Sequence, residues 1–121
     1  MKILITEDDA LTRKILQKSL SNAGFEIYLA KNAKEAISRL KSDKLDLVLI
    51  DIYMPGIDGI ELIHIVRNDM KNNVPIAVIT RDKSEEMVVK AFEAGADDFI
   101  LKPFDDEDLS GRLLNLIEKY E

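Results

Sequence analysis

Four short apolar runs in this chain end in side chains that could do chemistry together. Lys2–Thr6 leads into Glu7, Asp8 and Asp9, Leu45–Asp51 closes on Asp51, and Pro75–Thr80 closes on Thr80. Asp98–Leu101 is followed by Lys102 and Pro103. Carboxylates pressed together raise one another's pKa unless a cation sits among them. An all-oxygen set with a partly open shell suits Mg²⁺, which keeps waters and accepts phosphate oxygens. A Lys point charge and a Thr hydroxyl complement an oxyanion. Metal, hydroxyl and ammonium around a carboxylate make a phosphoryl-transfer site in which the carboxylate can be the nucleophile. The protein then supplies positioning and charge neutralisation.

Each residue alone has a plainer reading. An acid after a strand is often the next helix's N-cap, a Thr ending a strand follows from propensity, and Lys-Pro is a common turn. The joint arrangement decides between the readings, and it depends on which elements carry these residues.

Three of the runs are nearly continuously apolar (Ile3–Ile5, Leu47–Ile50, Ile76–Ile79), the pattern of strands buried on both faces. A further run, Phe25–Leu29, ends without reactive side chains. The segments between them have helical period. Leu11, Ile15, Leu16, Leu20 and Ala23 form one apolar face, and Gly24 supplies a stop. Asn32 with Glu35, Asp58 with Glu61, and Asp82 with Glu85 have cap spacing, and Gly95 ends the fourth helix. The last helix starts at Asp105 with Asp108 at its third position, and Phe104 is placed to staple against Leu109. Strict alternation of strand and helix implies a parallel sheet covered on both faces. Five units suit the flavodoxin-like α/β order 2-1-3-4-5, whose ligand site lies at the strand carboxyl ends around the switch between strands 1 and 3. The four strands with polar ends are then contiguous. The acids of strand 1 face the acid of strand 3.

Composition narrows the setting. The 121 residues fit one domain, 46% of them are apolar, and there is no Cys, so disulfides and thiolate chemistry are excluded. No apolar run approaches the ~20 residues of a spanning helix, and the N-terminus lacks a signal-peptide layout, which together point to a soluble, cytoplasmic domain. Seventeen Lys+Arg against 23 Asp+Glu give a net charge of −6, which argues against direct nucleic-acid binding.

At these residues the chain resembles the response-regulator receiver family along essentially its whole length. The resemblance rests on Ile3–Asp8 (ILITED), Leu45–Gly59 (LDLVLIDIYMPGIDG), Thr80 and Gly95–Phe104 (GADDFILKPF). It implies a CheY-like fold in which Asp51 is the phosphoacceptor and Glu7 and Asp8 are the acid pair. Asp8, Asp51 and the Tyr53 carbonyl would ligate Mg²⁺ beside Glu7. It also implies that Thr80 is the switch hydroxyl, Phe99 its aromatic partner, and Lys102 the phosphoryl contact, with a cis bond to Pro103. Asp9 falls outside the pair and caps helix 1. The only His, His64, lies on helix 3 away from the site. The implied donor is a histidine kinase or histidine phosphotransfer protein. Phosphorylation would switch the helix 4–strand 5–helix 5 surface for a partner or for self-association. The chain departs from the family in carrying Arg81 after the switch Thr, where a small residue is usual. Arg81 could crowd donor entry or add a second positive contact, and Tyr53 could shield the acyl phosphate.

Lys90, Asp97, Asp98, Asp108 and Arg112 resemble the charged set through which OmpR/PhoB-type receivers dimerise. The plainer reading is a solvated face. The sequence is expected to hold one receiver domain over residues 1–121 and no effector domain, with helix 5 ending at Glu121. A stand-alone phosphorelay shuttle and a receiver cut from a DNA-binding transcriptional regulator both remain open. A Mg²⁺-dependent aspartyl phosphohydrolase is a remote alternative, because its second Asp two residues after the nucleophile is replaced here by Tyr53. Flavodoxin-like cofactor binding is disfavoured by Glu7, Asp8 and Asp9, which would repel phosphate. The expected role is that of a signalling phosphoacceptor rather than an enzyme acting on other substrates.

Overall fold

The computed structural model describes residues 1–120 as five strands alternating with five helices. These are β1 (Lys2–Thr6), α1 (Ala10–Asn22), β2 (Glu26–Ala30), α2 (Ala33–Ser42), β3 (Leu47–Asp51) and α3 (Gly59–His64), followed by β4 (Ile76–Thr80), α4 (Glu85–Ala94), β5 (Asp98–Leu101) and α5 (Asp106–Lys119). The strands form one parallel sheet in the order β2-β1-β3-β4-β5, as the alternation of elements predicts. The expected end of the last helix at Glu121 lies outside the described residues.

Period-two alternation sorts the strand side chains between two cores. Ile3, Ile5, Leu47 and Leu49 face one side and pack with Leu16 and Leu20 of α1 and Leu109 and Leu113 of α5. Leu4, Val48, Ile50 and Val78 face the other and pack against α2, α3 and α4 through Ala36, Leu62, Ile63 and Ala91. Both faces are covered, so the central strands are apolar at nearly every position, and their polar residues are confined to the ends.

Four expected caps are found. Asp9, Asn32, Asp58 and Asp105 accept the backbone N–H groups of Thr12, Glu35, Glu61 and Asp108 at 2.9, 2.9, 2.9 and 3.1 Å. The fifth is corrected. Ser84, not Asp82, caps α4 by accepting the Met87 N–H at 3.2 Å. Asp82 is committed elsewhere, to the Ser84 N–H at 2.8 Å and to the Tyr53 hydroxyl. The expected apolar face of α1 is also narrower than read. Leu16 and Leu20 are buried, whereas Leu11 and Ile15 are 68% and 50% exposed and Ala23 is exposed. The helix covers the sheet with a single i, i+4 stripe, and its flank meets α5 through a Ser19–Asp106 hydrogen bond of 2.7 Å.

α3 continues into a π-helical turn, Ile65–Asp69, that the periodicity does not reveal. The wider turn carries Arg67 into the corner between α4 and β5. There Arg67 Nε donates to the Gly95 carbonyl (3.0 Å), Nη1 to the Asn72 and Val74 carbonyls (2.8 and 2.7 Å), and Nη2 to Asp97 Oδ2 (3.0 Å). Gly95 has φ +122, and a Cβ there would lie 2.7 Å from Arg67 Cγ, so both backbone and packing require glycine.

Candidate functional site

The carboxyl ends of β1, β3, β4 and β5 open into a cleft of about 350 Å³ whose lining includes Glu7, Asp8, Asp51, Thr80, Arg81 and Lys102. The parallel register brings them together: Thr6 pairs with Ile50, Asp51 with Ile79, and Thr80 with Leu101. The residues that follow each strand therefore emerge at one level.

Asp51 is nearly buried. Its Oδ1 accepts the Tyr53 N–H at 3.3 Å, and its Oδ2 lies 3.6 Å from Lys102 Nζ. Glu7 is buried and takes the shorter ion pair, Lys102 Nζ to Oε1 at 2.7 Å. Burial pushes the Glu7 carboxyl above its ordinary range and the neighbouring Asp51 adds to this, while Lys102 pulls it back down. Asp8 is exposed at the rim, and the carboxylates of Glu7, Asp8 and Asp51 offer oxygens within 4.8 Å of one another. This all-oxygen donor set at a negative cleft fits Mg²⁺.

Thr80 is buried at the end of β4, and its Oγ1 accepts the Asp82 N–H at 3.3 Å. Among the described residues its hydroxyl proton has no acceptor, which leaves it available to an oxyanion. Phe99 is half-buried and packs on the same core as Val78, its register partner, and so lies on the sheet face to which Thr80 belongs. The Lys102–Pro103 bond is cis. Asp9 stands apart as the α1 cap, and the hydroxyl and N–H that Thr12 donates to it hold the Asp9 carboxyl below the ordinary range. His64 is exposed on α3, outside the cleft.

Three contacts were not legible in the sequence. Arg13 donates to the Glu7 carbonyl at 2.9 Å and braces the acidic loop. Glu7 pairs with Lys102 across 95 positions, and Tyr53 bonds Asp82 across 29. None of the three has a local spacing signal.

Comparison with known proteins identifies the family and the fold. The sequence model described as response regulator receiver domain matches residues 3–114. The chain belongs to the response-regulator receiver family. Its fold is CheY-like. It is 40% identical over 119 residues to the uncharacterized transcriptional regulatory protein YrkP of Bacillus subtilis, covering 98% of this chain and 50% of that one. It is 37% identical over 118 residues to the transcriptional regulatory protein ResD of the same species, covering 98% and 48%. A two-component response regulator from Clostridium difficile superposes with a TM-score of 0.93 at 30% identity, covering 100% of this chain and 98% of that one. The Francisella response regulator 1452 receiver domain gives 0.92 at 28% identity, covering 99% and 98%. The receiver spans about half the length of the curated relatives it matches. No helix among the described residues is long and apolar enough to cross a membrane.

The charged set on α4, β5 and α5 is largely paired within the chain. Arg112 grips Asp98 through Nη2 at 2.7 Å and Nε at 3.2 Å and lies 3.9 Å from Asp108, and Lys90 pairs with Glu86 at 3.0 Å. Asp97 is the most committed. Its Oδ2 takes Arg67 and the Ile76 N–H, and its Oδ1 takes the Tyr120 hydroxyl.

Proposed function

We propose that Asp51 accepts a phosphoryl group from a histidine kinase or histidine phosphotransfer protein, with Mg²⁺ held by Glu7, Asp8, Asp51 and the Tyr53 carbonyl. The convergence of Asp51, the acid pair, Thr80 and Lys102 in one cleft carries this reading. An Asp51 carboxylate oxygen attacks phosphorus as the P–N bond of the phosphohistidine breaks, and the electron pair leaves on the imidazole nitrogen. Bound among the carboxylates, Mg²⁺ would neutralise charge on the transferring group. Lys102 supplies a point charge from the β5 side, and Thr80 supplies its free hydroxyl proton from β4. Hydrolysis of the acyl phosphate returns the carboxylate and releases phosphate, so the domain turns over only its own modification.

A phosphoryl group adds about 1.5 to 2 negative charges and strong acceptors, by analogy with other phosphorylated side chains. Thr80 and Lys102 move to meet it, Phe99 repacks beside Thr80, and the α4–β5–α5 surface changes. Val89 and Phe92 of α4 are 51% and 45% exposed beside Lys90, which supports an output partner or a second copy binding there. The relatives called transcriptional regulatory proteins are about twice as long as this chain, which favours output through a DNA-binding regulator over a stand-alone shuttle. Borohydride reduction of the phosphorylated chain tests the acceptor directly. Homoserine at position 51 is expected, and reduction at another carboxylate would overturn the assignment.

A further inference from the structure

Tyr53 is a large aromatic residue, 56% exposed, on the loop that follows Asp51, and it lines the cleft. Burial does not hold it there. Its hydroxyl bonds Asp82 Oδ2 on the opposite loop, between β4 and α4. Asp82 is a junction. Its Oδ1 accepts the Ser84 N–H at 2.8 Å, its own N–H donates to Thr80 Oγ1 at 3.3 Å, and Ser84 caps α4. One chain of hydrogen bonds therefore runs from Tyr53 through Asp82 to the switch hydroxyl and to the first turn of α4.

We infer that Tyr53 is a positioning residue which, through Asp82, latches Thr80 and the β4–α4 loop in the arrangement without a phosphoryl group. This rests on the proposed modification of Asp51 and adds the element that sets its resting state. For Thr80 to reach a group on Asp51, the loop bearing Asp82 must follow it, and the Tyr53 bond resists that movement. The bond joins a neutral hydroxyl to a carboxylate, the stronger class of side-chain hydrogen bond. The hydroxyl of Tyr53 and the Ser84 N–H both hold the Asp82 carboxyl below the ordinary range, as expected of an ionised acceptor. Arg81, the next residue along from Thr80, also lines the cleft and has no ion-pair partner among the described residues.

The test compares wild type, Tyr53→Phe, Asp82→Ala and the double variant by amide hydrogen exchange at Asp82 and Ser84, with and without fluoroberyllate plus Mg²⁺ as phosphoryl mimic. Tyr53→Phe keeps the ring and alters an exposed atom, so thermal melting should be nearly unchanged. Without the mimic, Tyr53→Phe should speed exchange of Ser84 by about three- to tenfold, the scale of one lost hydrogen bond that is open to solvent. With the mimic bound the two proteins should exchange alike, and Tyr53→Phe should bind the mimic several-fold more tightly. In the double variant, exchange at Ser84 should match Asp82→Ala alone. Unchanged exchange in Tyr53→Phe, a difference that persists with the mimic, or additive effects in the double variant would each overturn the latch. If wild type binds no mimic, the phosphoryl reading fails instead, and the exchange comparison without mimic still judges the latch.

Discussion

Lys102 Nζ donates to Glu7 Oε1 at 2.7 Å while standing 3.6 Å from Asp51 Oδ2. The single ammonium of the cleft thus holds the more buried carboxylate and stays within reach of the other. This geometry suits the turn toward a phosphoryl group that is proposed for Lys102. It also makes Lys102 the counter-ion of the unmodified site.

Removing that ammonium should therefore cost stability, and a metal should restore it. Lys102→Met leaves Glu7 buried beside Asp51 without its cation, at a cost of about 3 kcal/mol. Millimolar Mg²⁺ should recover much of the loss, because it neutralises the same carboxylates. Urea denaturation with and without Mg²⁺ measures both effects. A loss indifferent to Mg²⁺ would contradict the metal assignment.

Gly59 should be sensitive for a reason tied to Asp51. A Cβ at Gly59 would lie 2.5 Å from the Asp51 carbonyl oxygen and 2.7 Å from Ile52 Cα, both backbone atoms that cannot swing aside. Gly59→Ala should cost about 2 kcal/mol by overpacking and should slow phosphoryl uptake by shifting the end of β3. Denaturation and uptake rates check the two effects separately.

Arg81 is exposed at the cleft mouth, where the other charges are mostly negative. A free guanidinium there should draw in anionic donors. Arg81→Ala should reduce the rate of uptake from acetyl phosphate several-fold, and added salt should shrink the difference. A faster rate in Arg81→Ala would mean instead that Arg81 crowds the entrance.

At the far end of the sheet, Tyr120 bonds Asp97 within the Arg67 corner, and that bond raises the Tyr120 pKa above its ordinary 10.0. A group whose folded pKa is raised contributes its stability in full below the unfolded value and loses it as pH rises through the folded value. Wild type should thus be more stable than Tyr120→Phe at neutral pH, and the gap should close as pH climbs beyond 10. Denaturation midpoints across the alkaline range check this.

Much of this architecture was legible in the sequence because it follows from local pattern. Ile3–Ile5 and Ile76–Ile79 announce strands covered on both faces, and their polar ends locate Glu7 and Thr80. The cap spacing of Asn32, Asp58 and Asp105 is equally local. What was missed depends on partners distant in sequence. Asp82 and Ser84 are both residue types that cap helices, and spacing favours Asp82 through Glu85, but Asp82 is committed to Tyr53 and Ser84 caps the helix. Arg67 and its π-helical turn answer to Asp97, 30 positions away. Leu11 and Ile15 share the period of Leu16 and Leu20, yet exposure depends on how far α1 overlaps the sheet, which period does not encode.

Asp51 is proposed as the phosphoryl acceptor, with Mg²⁺ required. Intact mass after incubation with acetyl phosphate measures this most directly, in wild type and Asp51→Asn, each with Mg²⁺ and with chelator. One phosphoryl adduct is expected, in wild type with Mg²⁺ only. An adduct that forms equally with chelator, or that persists in Asp51→Asn, would contradict it.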